Sequence, residues 1–98
     1  MCAIAGILGL RYSEFVIQSM LKTMARRGPD GNGVAMSLEY CLLHSRLAVI
    51  DPAGGAQPMG FDYLGEHYQI VYNGELYNTE ELRGELKAMG HRFSGHSD

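Results

Sequence analysis

Apolar residues run almost unbroken from Cys2 to Leu10, with no charge among them. A short apolar run without helical spacing predicts a buried strand, although chain ends are normally loose. Gly6 and Gly9 within it suggest close backbone approach by another segment or a ligand. Ser13 is a suitable N-cap for a helix running to about Arg27, with Val16/Ile17, Met20/Leu21 and Met24 at helical spacing. Gly28 is the expected stop, and Gly28-Pro29-Asp30-Gly31-Asn32-Gly33 a dense turn signal. Val34 to Met36 and Cys41 to Ile50 predict strands, joined as a hairpin around Leu38-Glu39-Tyr40. Residues 51–60, rich in Gly, Pro and Ala, predict a loop, and Tyr68 to Tyr72 a further strand. Asn78 with Glu81 at N3 predicts a capping box on a second helix, with Leu82, Leu86 and Met89 on one face. Gly90 would end that helix, and His91 to Phe93 would begin another extended piece. Helices and strands mix without strict alternation, which predicts an α+β layered fold in one domain spanning 1–98.

Composition narrows the function. At 98 residues, 46% apolar and 19% charged, the chain is ordinary globular material. A net charge of -3 without a basic run argues against nucleic acid as partner. No apolar segment approaches a membrane span, and the first residues lack a basic n-region, so neither a membrane partner nor a signal peptide is expected. Two cysteines and six methionines suit a reducing, cytoplasmic setting better than a disulfide scaffold.

Cys2 directly follows the initiator methionine, and its small side chain permits methionine removal. One residue would then carry a thiol and a free α-amine. A thiol of pKa about 8.5 is only about 3% thiolate at pH 7, so it needs a base. An α-amine of pKa near 7.8 is roughly 14% unprotonated at that pH, against about 0.04% for a lysine amine. The chain's own amine would therefore be the best-populated amine base, tethered to the nucleophile it serves. The alternative is a small residue at a frayed end.

Three further positions carry candidate chemistry. Asn73-Gly74 reads either as a type I′ hairpin turn or as an oxyanion hole formed by the Asn amide and a main-chain N–H. Arg46 is a charge within the apolar stretch Leu43 to Ile50 and needs a salt-bridge partner or an anionic ligand. Arg46 with Glu75 and Asp98 would suit a free amino acid, the guanidinium forking onto the α-carboxylate and the carboxylates holding the α-ammonium. The glycines near Arg26 and Arg27 could cradle phosphate, but no GKS or GKT ending follows. Among the four histidines, His67 and His91 are expected at strand edges and His96 near a frayed end. Cys41 and His44 have C-x-x-H spacing without a second ligand pair and would face opposite sides of a strand, so no metal site is expected. A Cys2–His dyad, needing no methionine removal, is the rival mechanism.

The start Met-Cys-x-Ile-x-Gly, RRGPDG at 26–31, HSRLAVID at 44–51, GAQPM at 55–59, YNGELYN at 72–78 and GHRFSGHSD at 90–98 together resemble the glutaminase domain of glutamine-hydrolysing asparagine synthetases. These are class II glutamine amidotransferases with the N-terminal-nucleophile hydrolase fold, a layered αββα sandwich. The resemblance implies that Cys2 is the nucleophile and that Asn73 and Gly74 form the oxyanion hole. It implies that Arg46, Val49, Ile50, Asn73, Glu75 and Asp98 bind glutamine. Ala3 stands where the family most often has Gly. The family continues past Asp98, so the chain is expected to be the front part of the sandwich, with exposed strand edges and poor stability alone. The implied partners are the rest of the glutaminase domain and a synthetase domain, in a parent that could assemble as a homodimer. No cofactor is expected in this segment, ATP and Mg being expected in the synthetase domain, which would amidate aspartate. The alternatives are a different acceptor or a fragment that binds glutamine without catalysis.

Overall fold

A computed structural model describes residues 2–9, 11–47 and 55–95. Its elements run β1 (Ala3–Leu8), α1 (Glu14–Met24), β2 (Gly31–Met36), β3 (Tyr40–Arg46), β4 (Met59–Tyr63), β5 (Glu66–Ile70) and α2 (Thr79–Ala88). The first three strands form an antiparallel sheet in the order β1-β3-β2, and β4-β5 form a separate two-stranded sheet. The α+β expectation holds in that form. Val49, Ile50, Asp98 and His96 lie outside the described residues, as does Met1.

The apolar start is β1, and its edge of the sheet is made by pairing with β3 from Ala3↔Ser45 to Leu8↔Tyr40. Strand alternation divides its side chains. Ala5 and Ile7 turn toward α1, where Ile17, Leu21, Cys41 and Leu43 form the buried core with Met20 and Met24 packed alongside. Ile4 and Leu8 take the other face and are exposed. The methionine stripe is thus core packing, while Val16 is exposed rather than part of the buried stripe.

Ser13 caps α1 as expected, its hydroxyl accepting from the Val16 amide at 3.3 Å. The helix stops at Met24, before Arg27, and Gly28 is not a left-handed cap. The C-cap is Ala25 in a right-handed conformation. The end is closed by the Arg27 N–H reaching the Met24 carbonyl at 3.1 Å, a tighter i→i−3 bond that ends the α-helical ladder. Gly28 serves another purpose: a Cβ there would lie 2.1 Å from the Ser45 carbonyl carbon. The glycines that permit close approach are therefore Gly28 and Gly33. A Cβ at Gly6 would meet the Leu42 side chain at an ordinary 3.4 Å, and Gly9 takes a positive φ of 65° with nothing within 4 Å of a Cβ placed there.

The β2–β3 connection is a serine turn. Ser37 Oγ accepts from the Glu39 and Tyr40 amides, and the Tyr12 hydroxyl donates to the Ser37 and Tyr40 carbonyls. Part of the stretch expected as loop forms β4, which begins at Met59. It pairs with β5 through Leu64 and Gly65, both at positive φ, 49° and 82°. A type I′ conformation built on Leu-Gly lacks the usual Asn or Asp signal, which is why the pattern does not reveal it.

At α2 the expected capping box does not form, because Asn78 makes no side-chain cap hydrogen bond. The Thr79 hydroxyl bonds the Leu76 carbonyl instead. The C-terminus matches expectation: Gly90 at φ 95° allows its N–H to reach the Lys87 carbonyl and that of His91 to reach Leu86. No residue of α2 is buried, and Leu86 and Met89 are exposed. Residues 91–93 form no strand.

Candidate functional site

The site grows from the C-terminal end of β3. Pairing of Ala3 with Ser45 carries Cys2, one residue further out, opposite Arg46. On the other side Gly31 is paired with Arg46, and the Asp30 amide donates to the Arg46 carbonyl at 2.8 Å. Arg46 thus sits on the middle strand between the turn segment and the chain start. The glycine-rich 28–33 stretch is spent on this packing, with Gly31 to Gly33 in strand β2, rather than on a phosphate-cradling loop.

Cys2 Sγ is held by the main chain of Leu47. It accepts from the Leu47 N–H at 3.3 Å, and the thiol points to the Leu47 carbonyl at 3.6 Å. The residue is partly exposed, so the sulfur is neither packed away nor loose. No histidine of the described residues hydrogen-bonds it, which removes the support for a Cys2–His dyad among them. The other thiol, Cys41, is fully buried against α1, and burial raises its pKa, with Glu14 adding to the rise. It is a core residue, not a second nucleophile.

Asn73 and Gly74 follow β5 and lead into α2 with no strand after them, and neither has positive φ. A type I′ hairpin turn needs both, so that reading is overturned. Asn73 is half-buried, and the Tyr72 phenol lies over Gly74, where a Cβ would meet its oxygen at 2.8 Å. Glu75 is exposed just beyond.

Three residues that the sequence did not single out for this site join its parts. His44, two before Arg46 and hence on the same face of β3, is 1% exposed. Among the described residues neither ring nitrogen completes a hydrogen bond of good geometry, although the Tyr72 main chain is close by. Burial lowers its pKa from the usual imidazole value; a hydrogen-bonding contact with the Tyr72 main chain opposes this, and Arg46 adds to the lowering. Leu47 contributes only main-chain atoms, which no side-chain signal could reveal. Gln57, within the GAQPM block, accepts from the Tyr72 N–H at 2.5 Å.

A cavity of about 1120 Å³ lies elsewhere, between β4–β5, α2 and residues 91–95, with Phe61, Tyr68, Ile70, Leu86 and Phe93 among its walls. None of the Cys2, Arg46 or Asn73 group lines it, so it is not the site built here. Among the described residues no helix is long and apolar enough to cross a membrane.

The described residues thus bring Cys2 beside Arg46 at one end of the first sheet, the sulfur on the Leu47 main chain. The chain belongs to the glutamine amidotransferase domain family, whose pattern matches residues 1–98. It is 44% identical over 102 residues to asparagine synthetase [glutamine-hydrolyzing] 3 of Bacillus subtilis, the match covering 100% of this chain and 17% of that protein. It is 40% identical over 106 residues to a probable asparagine synthetase [glutamine-hydrolyzing] of Dictyostelium discoideum, covering 100% of this chain and 18% of that one. To asparagine synthetase [glutamine-hydrolyzing] 1 of Arabidopsis thaliana it is 39% identical over 104 residues, covering 100% of this chain and 17% of that protein. The chain thus spans less than a fifth of the length of these relatives.

Proposed function

We propose that this chain is the glutaminase part of a glutamine-hydrolysing asparagine synthetase, in the front of an N-terminal-nucleophile fold. Once Met1 is removed, the Cys2 amine takes the thiol proton and the sulfur attacks the side-chain amide carbon of glutamine. Asn73 and the Gly74 N–H stabilise the tetrahedral oxyanion. The amine returns the proton to the departing nitrogen, ammonia leaves, and a thioester remains. Water cleaves the thioester, releasing glutamate and regenerating the thiol. Arg46 binds the α-carboxylate, with Val49 and Ile50 lining the pocket and Glu75 and Asp98 holding the α-ammonium.

The single observation that carries the reading is the β1–β3 register, which sets Cys2 opposite Arg46 with its sulfur on the Leu47 main chain. In the whole protein, ammonia would pass to a synthetase domain that uses ATP and Mg to amidate aspartate. The names of the relatives favour this acceptor over another. The proposed setting is the cytoplasm.

The test is covalent labelling of the full-length protein by a diazo-ketone glutamine analogue, read by peptide mass spectrometry. The expected result is one adduct, on a Met-free Cys2. Folded protein that stays unlabelled, or carries the adduct on another residue, would overturn the reading. Arg46→Ala is expected to raise KM for glutamine by roughly ten- to a hundredfold, the loss of a charge-assisted pair being worth about 1.5–3 kcal/mol. Steady-state glutamate release checks this, and an unchanged KM removes Arg46 from the pocket.

A further inference from the structure

Three features meet at one spot on the sheet. Gly33 and His44 are directly paired across β2 and β3. The Gln57 main chain lies over Gly33 so closely that a Cβ there would fall 1.9 Å from the Gln57 carbonyl oxygen. The glycine thus lets the segment carrying Gln57 rest directly on the sheet that presents Cys2 and Arg46. From this base the Gln57 side chain reaches across to the Tyr72 N–H at 2.5 Å, a short bond.

We propose that Gln57 is a positioning residue for glutamine hydrolysis, tying the Asn73-Gly74 oxyanion donors to the sheet through its bond to the Tyr72 amide. The proposal rests on the function argued above and deepens it. Without Gln57 the described structure shows no other hydrogen bond anchoring the Tyr72 N–H. The buried His44 ring lies at the same place, near enough to the Tyr72 main chain to interact with it. Residue 72 is therefore set between a side-chain acceptor and a buried ring, immediately before Asn73 and Gly74. An oxyanion hole works only when its donors are already aimed at the oxygen that develops charge, and an error of about 1 Å costs up to a hundredfold in rate. Arg46 lies on β3 and does not depend on this tie, so its grip on the α-carboxylate should be spared; Glu75, exposed one residue past Gly74, shifts with the donors and should raise KM far less than kcat falls.

The experiment compares Gln57→Met and Gln57→Glu in the full-length protein, with kcat expressed per active site titrated by the diazo-ketone label. Methionine has similar length but offers no strong acceptor, whereas glutamate keeps the oxygen. Gln57→Met is expected to lower kcat per labelled site at least tenfold with KM within about threefold, and Gln57→Glu to recover most of that loss. Should the Met variant not fold, Gln57→Asn, which withdraws the oxygen by one methylene, replaces it with the same expected loss. A merely structural glutamine would reduce the number of titratable sites and leave kcat per site unchanged. That result, or a Glu variant as slow as the Met or Asn variant, overturns the proposal. Wild-type glutamine hydrolysis in the same assay reports on the Cys2 reading separately.

Discussion

Replacing Cys2 with alanine in the full-length protein is expected to reduce glutamine hydrolysis by a factor of about 10⁴ or more, removal of a covalent nucleophile being among the largest single-residue effects known in enzymes. Among the described residues the sulfur's hydrogen-bond partners are main-chain atoms, the N–H and carbonyl of Leu47. The fold should therefore survive, with the thermal transition shifted by only a few degrees. In the synthetase proposed above, synthesis from added ammonia should persist, because it bypasses the thioester. A form retaining Met1 should be as inactive as the alanine variant. Its Cys2 nitrogen is then an amide, and the tethered base is lost while the thiol remains. Glutamate release by intact protein, its N-terminus checked by mass spectrometry, measures both. Activity within tenfold of wild type in either form would move the nucleophile or its base elsewhere.

Asn73→Ala is expected to lower kcat about a hundred- to a thousandfold with little change in KM. The side-chain amide acts on charge that exists only in the tetrahedral transition state, so its loss appears in kcat rather than in ground-state binding. The Gly74 N–H remains as the second donor, which is why the loss should stop short of that for Cys2. The structure sharpens this test. Since Asn73 and Gly74 are not at positive φ and join a strand to a helix, replacing Asn73 removes no hairpin geometry. A kcat within twofold of wild type would take Asn73 out of the reaction. Rapid-quench detection of the thioester separates slowed acylation from slowed hydrolysis.

The local elements were legible where one short-range rule decided them. The Ser13 cap, the apolar stripe of α1 and the Gly90 stop each depend on neighbours within a turn of helix, and each was found. The misses have equally local physics that longer contacts overruled. Asn78 and Glu81 have the spacing of a capping box, yet the first turn of α2 is closed by Thr79 bonding to Leu76. Gly28 has the look of a helix stop, but its missing side chain is required by the approach of Ser45. Leu64-Gly65 turns the β4–β5 hairpin without the usual residues.

For the site, the chain order alone determined which chemistries were available: a thiol at position 2, a lone arginine in an apolar strand, and an Asn-Gly pair. Side-chain type and spacing suffice there, because reactivity and charge belong to the residue itself. Which of them meet was decided only in three dimensions. Cys2 and Arg46 are 44 positions apart and come together solely because β1 pairs antiparallel with β3 in one register; a slip of one residue would turn Cys2 to the opposite face. The anchors at Leu47, Gln57 and His44 work through main-chain atoms or buried contacts. Such contacts leave no pattern in the sequence, because a backbone carbonyl is the same at every position until the fold sets something against it.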